Sequence, residues 1–270
     1  MALTIVTWNV NSIRVRLDGL ARMIDALAPD IVCLQETKVT NPLFPTADVR
    51  ALGFDHQAIH GVKAYGGVAI LSRRPFISTG KRAWCGGSDA RHVFATVDGG
   101  KALGPLAIHS LYVPAGGDMP DPAVNGKFAH KLAFLEEMAA WSATIAASTY
   151  PAVLAGDFNV APLECDVWSH RRMLKIITHT PAEVSRLEGV REHGRWIDAV
   201  RHFAPPPERL STWWSYRARD GQAADRGRRL DHLWVSASLH PHLTGMRILT
   251  EARDWPRPSD HVPLAITFAD

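Results

Sequence analysis

Eight side chains stand out by type and by where they fall: Asn9, Glu36, Tyr112, Asp157, Asn159, Asp231, Asp260 and His261. They are carboxylates and amides with one phenol and one imidazole. No thiolate pair accompanies them. Hard oxygen donors of this kind suit Mg²⁺ or Mn²⁺ better than zinc. Mg²⁺ takes one or two carboxylates and fills its shell with water and substrate phosphate. A cation, a histidine and acids in one place would hydrolyse a phosphate ester. The ion offsets phosphate charge, one acid takes a proton from water, and an imidazolium stabilises the charge that develops.

Each residue also has an ordinary structural use. Asn9 and Asn11 could cap a helix beginning near Ile13. Glu36 could be a surface acid. Gly156-Asp157-Phe158-Asn159 is a good turn sequence, Ser259-Asp260-His261 could be plain loop, and Trp213-Trp214 could be core. The set weighs more than its parts because every member serves one reaction.

Such residues need elements to hold them. Leu3 to Trp8 reads as a buried strand. Ile13, Leu17, Leu20, Ile24 and Leu27 recur at helical spacing, Pro29-Asp30 ends that helix, and Ile31 to Leu34 is the next strand. This βαβ pattern recurs: a strand from Pro105 to Leu111, a helix marked by Phe128, Leu132, Leu135 and Ala139 and running to about 147, and a strand from Ala152 to Ala155. Shorter strand-like runs cover Gly67 to Leu71, Val93 to Val97, Leu233 to Val235 and Pro263 to Phe268. The polar residues fall at the ends of these strands, which is how α/β folds build sites. Two α/β halves packed face to face would bring them into one cleft.

Composition agrees with an enzyme-sized globular chain. It has 270 residues and a mass of 29.7 kDa, 46% hydrophobic and 21% charged, which excludes a disordered or collagenous protein. No run of 18 apolar residues suggests a membrane span. The first residues lack a basic signal-peptide region, so a cytoplasmic location is expected. Cys33, Cys85 and Cys165 lack disulfide or C-x-x-C spacing and read as buried thiols. Net charge is 30 − 27 = +3, unevenly spread. From Arg186 to Arg229 there are ten arginines against six acids, and His170-Arg171-Arg172 with Lys175 lies just upstream. Such clustering suggests a polyanionic partner or, equally, a solvated arginine-rich face.

The ordered segments Trp8-Asn9-Val10-Asn11-Ser12-Ile13-Arg14, Leu34-Gln35-Glu36-Thr37-Lys38, Tyr65-Gly66-Gly67-Val68-Ala69, Tyr112-Val113-Pro114, Gly156-Asp157-Phe158-Asn159, Arg229-Leu230-Asp231 and Ser259-Asp260-His261 resemble the exonuclease III family of abasic-site endonucleases. The resemblance runs from residue 4 to residue 268, essentially one domain over 1–270. It implies a four-layer α/β sandwich, two mixed sheets face to face with helices outside. It implies Glu36 as the principal metal ligand with Asn9 and Asp260 nearby, and Mg²⁺ as cofactor with Mn²⁺ able to substitute. Asp157 would activate water or protonate the leaving group, Asn159 would orient water or phosphate, and Tyr112 would assist at the phosphate. His261, held by Asp231, would contact the scissile phosphate.

The implied substrate is double-stranded DNA, nicked 5′ to an abasic site, with 3′–5′ exonuclease activity and clearing of blocked 3′ ends. Trp213 and Leu230 would line a pocket for the base-free sugar. Loops around Arg91 and from Trp168 to Lys175, with Arg171 and Arg172, would grip phosphates without reading sequence. Two departures stand out. Ala115-Gly116-Gly117 offers no amide side chain where relatives commonly have one, and Arg228 stands where some relatives carry a bulky apolar pocket residue. Another phosphoesterase of the wider superfamily, acting on a small phosphate ester or phospholipid head group, is the alternative. A non-catalytic DNA-binding module would be expected to have lost Glu36, Asp157 or His261. A monomer is the default expectation.

Overall fold

The structure is a computed structural model that describes residues 2–216 and 226–269. In chain order the strands are β1 (Leu3–Asn9), β2 (Ile31–Gln35), β3 (His56–His60), β4 (Val68–Ser72), β5 (Phe76–Gly80), β6 (His92–Asp98), β7 (Pro105–Tyr112), β8 (Ala152–Asp157), β9 (Ile197–Asp198), β10 (Asp231–Val235), β11 (Leu243–Ile248) and β12 (Leu264–Phe268). The helices are α1 (Leu17–Leu27), α2 (Thr46–Ala51), α3 (Gly126–Ala146), α4 (His170–Met173), α5 (Pro181–Gly194) and α6 (Ala199–Phe203).

The strands form two six-stranded sheets, ordered β11-β12-β1-β2-β4-β3 and β5-β6-β7-β8-β10-β9. Each is mixed for the same reason. The helical crossovers β1-α1-β2 and β7-α3-β8 join parallel neighbours, and the other neighbours pair antiparallel. Those two crossovers are the βαβ units expected from the sequence.

Alternation along each strand decides which layer a side chain joins. Leu3 and Ile5 of β1 and Ile31 and Cys33 of β2 meet Val93, Ala95, Ile108, Val153, Ala155 and Leu233 of the other sheet in a core between the sheets. The intervening residues face outward. Val6, Trp8, Val32 and Leu34 pack with Leu20, Met23 and Ile24 of α1. Leu111, Leu154 and Trp234 pack with Phe134, Leu135 and Met138 of α3 and Leu187 and Val190 of α5. The result is the four-layer sandwich, helix–sheet–sheet–helix. Each fully buried Leu or Ile contributes about 1.5–3 kcal/mol by leaving water.

The same alternation sends Asn9, Gln35, Tyr112, Asp157 and Asp231 to the side of the sheets that faces the inter-sheet core, at the end of each strand where apolar filling stops. Register then aligns them. Tyr112 pairs with Asp157 across β7 and β8, Asp157 with Asp231 across β8 and β10, and Asn9 with Gln35 across β1 and β2. Gly156 makes the β7–β8 approach possible. A Cβ there would lie 1.9 Å from the Leu111 carbonyl oxygen.

Several expectations are corrected. Asn9 and Asn11 cap no helix. Ile13–Val15 is a 3-10 turn and α1 starts only at Leu17, both without a side-chain cap. Cys33 is buried, but Cys85 is exposed and Cys165 half-exposed. The arginine-rich stretch is partly internal. Arg186 pairs with Glu136 and Arg191 with Glu188, and the guanidinium of Arg229 is wholly buried against Asp166 and Asp198. Arg217 and Arg219 lie outside the described residues.

Candidate active site

The strand ends open into a cavity of about 510 Å³ lined by Glu36, Tyr112, Asp157, Asn159, Trp213, Arg228, Leu230, Asp260 and His261 among others. Asn9 lies directly behind it. Its amide donates to Glu36 Oε1 and to Asp157 Oδ2, both at 2.9 Å, and so ties one sheet to the other.

Glu36 and Asn159 reach their places through backbone that L-residues seldom adopt, with φ of 51° and 52°. Such left-handed residues persist only where surrounding structure holds them. Here Ser12 N–H donates to the Glu36 carbonyl at 2.8 Å, and Lys131 Nζ donates to the Asn159 carbonyl at 2.7 Å. Glu36 Oε1 also accepts from the Tyr112 hydroxyl at 2.9 Å, and Oε2 pairs with Lys38 Nζ at 2.7 Å. Burial pushes the Glu36 carboxyl up, but the Asn9 amide and the Lys38 ammonium outweigh it and hold it below the usual range. The Tyr112 phenol is pushed well up by burial and by Glu36 and Asp157, so it stays a proton donor to Glu36.

Across the cavity, His261 Nδ1 lies 2.8 Å from Asp231 Oδ2, and its Nε2 lies 3.6 Å from Asp157 Oδ2. Burial opposes a charge on the imidazole, yet Asp231 and Asp157 together raise its pKa well above the ordinary value. The ring is therefore held as imidazolium. Asp157 moves the other way for a carboxylate. Burial raises it, the His261 charge pulls it back, and Asp231 pushes it up. The charges on these two groups, 3.6 Å apart, therefore influence each other's titration.

Asn159 spends its amide locally. Nδ2 donates to Asp157 Oδ2 at 3.2 Å and to the Val113 carbonyl at 2.9 Å, and its backbone N–H donates to Asp157 Oδ1. These bonds fix the carboxylate plane. Asp260 accepts from Asn11 Nδ2 and from Trp213 Nε1, each at 3.0 Å. Despite its burial, the neighbouring His261 charge and these donors keep its carboxyl below the usual range.

Asp157, Asp231 and His261 offer ligand atoms that all lie within 4.8 Å of one another, a buried group with the make-up of a divalent-metal site. Asp231 Oδ1 is buried with no hydrogen-bond partner. With Glu36 and Asp260 the site gathers four carboxylates against Lys38, Arg228 and the imidazolium. This acidic, all-oxygen surplus fits a hard divalent cation.

The basic residues named from the sequence are spread more widely. Arg228 stands over the Trp213 ring inside the cavity, 4.8 Å from its centroid. Arg91 stacks on Tyr112 at 5.0 Å and pairs with Asp89. Arg171 and Arg172 are exposed on α4, away from the cavity lining, and Arg172 stands 5.5 Å over Trp168.

Sequence reasoning passed over the support beneath the site. Lys131 and Glu183 form a fully buried ion pair. Lys131 carries the Asn159 carbonyl, and Glu183 accepts from the backbone N–H groups of Thr178 and Thr180. Both carry signals. Lys131 sits among Phe128, Leu132 and Leu135 on the apolar face of α3. Thr180-Pro181-x-Glu183 is a capping box with proline at the first helical position.

Residues 6–261 match the Endonuclease/Exonuclease/phosphatase family. Exodeoxyribonuclease III of Haemophilus influenzae is 27% identical over 97% of this chain and 98% of its own. An AP endonuclease structure from Archaeoglobus fulgidus superposes with a TM-score of 0.88 at 30% identity, covering 99% of this chain and all of that one. A 3′ phosphatase from Neisseria, solved with a product DNA hairpin, gives 0.89 at 29% identity, again over 99% of this chain. The chain belongs to the Endonuclease/Exonuclease/phosphatase family, in its exonuclease III and AP endonuclease branch.

Proposed function

We propose that this chain is a DNA-repair phosphodiesterase. It hydrolyses the phosphodiester 5′ to an abasic site in duplex DNA, trims 3′ ends and clears blocked ones, acting as a cytoplasmic monomer over its single domain. The observation that carries the reading is the facing of Asp157 by an imidazolium that Asp231 holds charged, in a cavity that Glu36 and Asp260 also line. The relatives of similar length named as a nuclease, an AP endonuclease and a 3′ phosphatase support it.

Glu36, Asn9 and Asp260 hold Mg²⁺ or Mn²⁺ in this reading. They are preferred to the Asp157–Asp231–His261 group because His261 Nδ1 is taken by Asp231 and a protonated imidazole offers no lone pair. When bound, the ion offsets charge on the phosphate. His261 Nε2–H donates to a non-bridging phosphate oxygen, where charge builds as water attacks. Asp157 takes the proton from that water, its raised pKa suiting it to the task. Asn159 keeps the Asp157 oxygens aimed into the cavity. Tyr112 holds Glu36 in place, and Trp213 and Leu230 wall the pocket beside the phosphate.

The test is an end-labelled duplex with one stable abasic analogue, beside an intact duplex with a recessed 3′ end. A metal-dependent nick immediately 5′ to the analogue, lost in chelator and in Asp157→Asn while DNA binding persists, is expected. Near-normal turnover by Asp157→Asn removes its assigned role. No cleavage of either duplex with Mg²⁺ or Mn²⁺ refutes the DNA reading.

A further inference from the structure

Arg228 is a cation built into the cavity, without a counter-ion among the described residues. Its backbone pairs with Trp213 through two hydrogen bonds of 3.0 Å, and Trp213 bridges in turn to His261. Its guanidinium lies over the Trp213 ring. Nη1 donates to Thr178 Oγ1 at 3.0 Å and to the Ile177 carbonyl at 3.4 Å. Thr178 is itself fastened to Glu183 by its N–H, so the cradle rests on the buried Lys131–Glu183 pair. Nε is buried with no acceptor. Among the described residues no carboxylate lies in ion-pair range of Arg228. The other acids of the cavity are already engaged: Glu36 by Lys38, Asp157 and Asp231 by His261, and Asp260 by Trp213 and Asn11. Asp118, the remaining acid on its wall, is exposed. Burial lowers the Arg228 pKa, and Glu183 pulls it the other way.

We propose that Arg228 sets the substrate class of this cleft, favouring a 3′-terminal phosphomonoester on duplex DNA over an internal abasic sugar. The inference rests on the phosphodiesterase reading and ranks its substrates. A neutral sugar lodged here strips water from a half-buried guanidinium and returns only hydroxyl and ring oxygens. A terminal phosphate carries about −1.5 to −2 charge and three strong acceptor oxygens. Its extra oxygen, which in a diester bears the next sugar, turns toward the guanidinium, and a planar fork of donors suits it. Water adds to phosphorus and gives its proton to Asp157. The bond from phosphorus to the 3′ oxygen breaks, with its electron pair going to that oxygen, which takes up a proton. The products are inorganic phosphate and a 3′-hydroxyl end.

The test compares kcat/KM of the full chain with Mg²⁺ on three duplexes: a recessed 3′-phosphate, the same end as 3′-hydroxyl, and a continuous strand with an abasic analogue. Wild type is expected to release phosphate at least about 10-fold faster than it nicks. Arg228→Leu is expected to lower that ratio roughly 10- to 100-fold, the worth of one or two charge-assisted hydrogen bonds. Arg228→Lys is expected to fall between and to show that charge rather than folding is read. Inorganic phosphate should inhibit wild type more strongly than Arg228→Leu. Wild type that nicks as fast as it releases phosphate, or an Arg228→Leu ratio equal to wild type, overturns the proposal. Nicking and end trimming without phosphate release overturns it while sparing the phosphodiesterase reading. Inertness toward all three duplexes overturns both.

Discussion

Lys131→Met is the most telling perturbation of the support beneath the site. Methionine keeps most of the stem and its packing on α3 but removes the ammonium. Glu183 then stays wholly buried without its cation, still accepting from Thr178 N–H, Thr180 N–H and Thr180 Oγ1. Breaking a buried pair from one side costs about 3–5 kcal/mol, because a lone charge is left in the interior. The Asn159 carbonyl also loses its donor, worth about 1 kcal/mol more. At roughly 2–3 °C per kcal/mol for a chain of this size, Tm is expected to fall by about 10 °C in thermal melts followed by circular dichroism. Adding Glu183→Gln removes the stranded charge yet keeps an acceptor oxygen for the Thr178 and Thr180 donors. The double variant should regain about 2 kcal/mol over Lys131→Met but stay below wild type, since the Asn159 carbonyl is still unpaired. A Lys131→Met melt within about 2 °C of wild type, or a double variant no more stable than the single one, refutes the account of a charged pair.

Mild acid should destabilise the fold through two buried histidines. Burial holds His109 down to about 3, and burial with Arg229 nearby holds His232 down to about 4. An unfolded histidine binds its proton near pH 6.5, so this stability is complete above that pH and is lost as pH falls toward the folded values. The slope reaches about 1.4 kcal/mol per pH unit for each, or about 3 kcal/mol for the two between pH 6.5 and 5, offset in part by Asp157, whose raised pKa lets the folded state bind a proton over the same interval. A urea midpoint that does not move over that interval would contradict it. Gly156→Ala is expected to leave little soluble, folded protein, because the new Cβ meets the Leu111 carbonyl at 1.9 Å; a normal melting profile would disprove the contact. Asp231→Asn keeps a hydrogen-bond partner for His261 Nδ1 but removes the charge beside it, so single-turnover hydrolysis should slow by about 10²–10⁴-fold with the fold intact. Wild-type rates would deny Asp231 its positioning role.

What could be read from the chain, and what could not, divides along one physical line. Burial patterns are local, and they were readable. The alternation through Leu3 to Asn9 and through Ala152 to Asp157 forces a polar residue onto the inward side just where apolar residues run out. Two parallel crossovers then align Asn9 with Gln35 and Tyr112 with Asp157, whereas Glu36 needs the left-handed turn after β2 and His261 enters on the loop before β12. Strands β3, β5 and β11 were passed over because each mixes polar, small and apolar residues without a continuous buried run. Charge pairing is not local at all. Arg229 looks like one more cation in a basic run, yet it meets Asp166, 63 positions earlier in the chain, and leaves the surface entirely. Arg228, its neighbour, turns to the other side and meets no acid among the described residues. Adjacent arginines of identical chemistry thus become a structural brace and an unpaired cation in the cleft. The difference lies in which side of the chain each occupies beside Trp213, which alternation predicts only once the pairing partner is known.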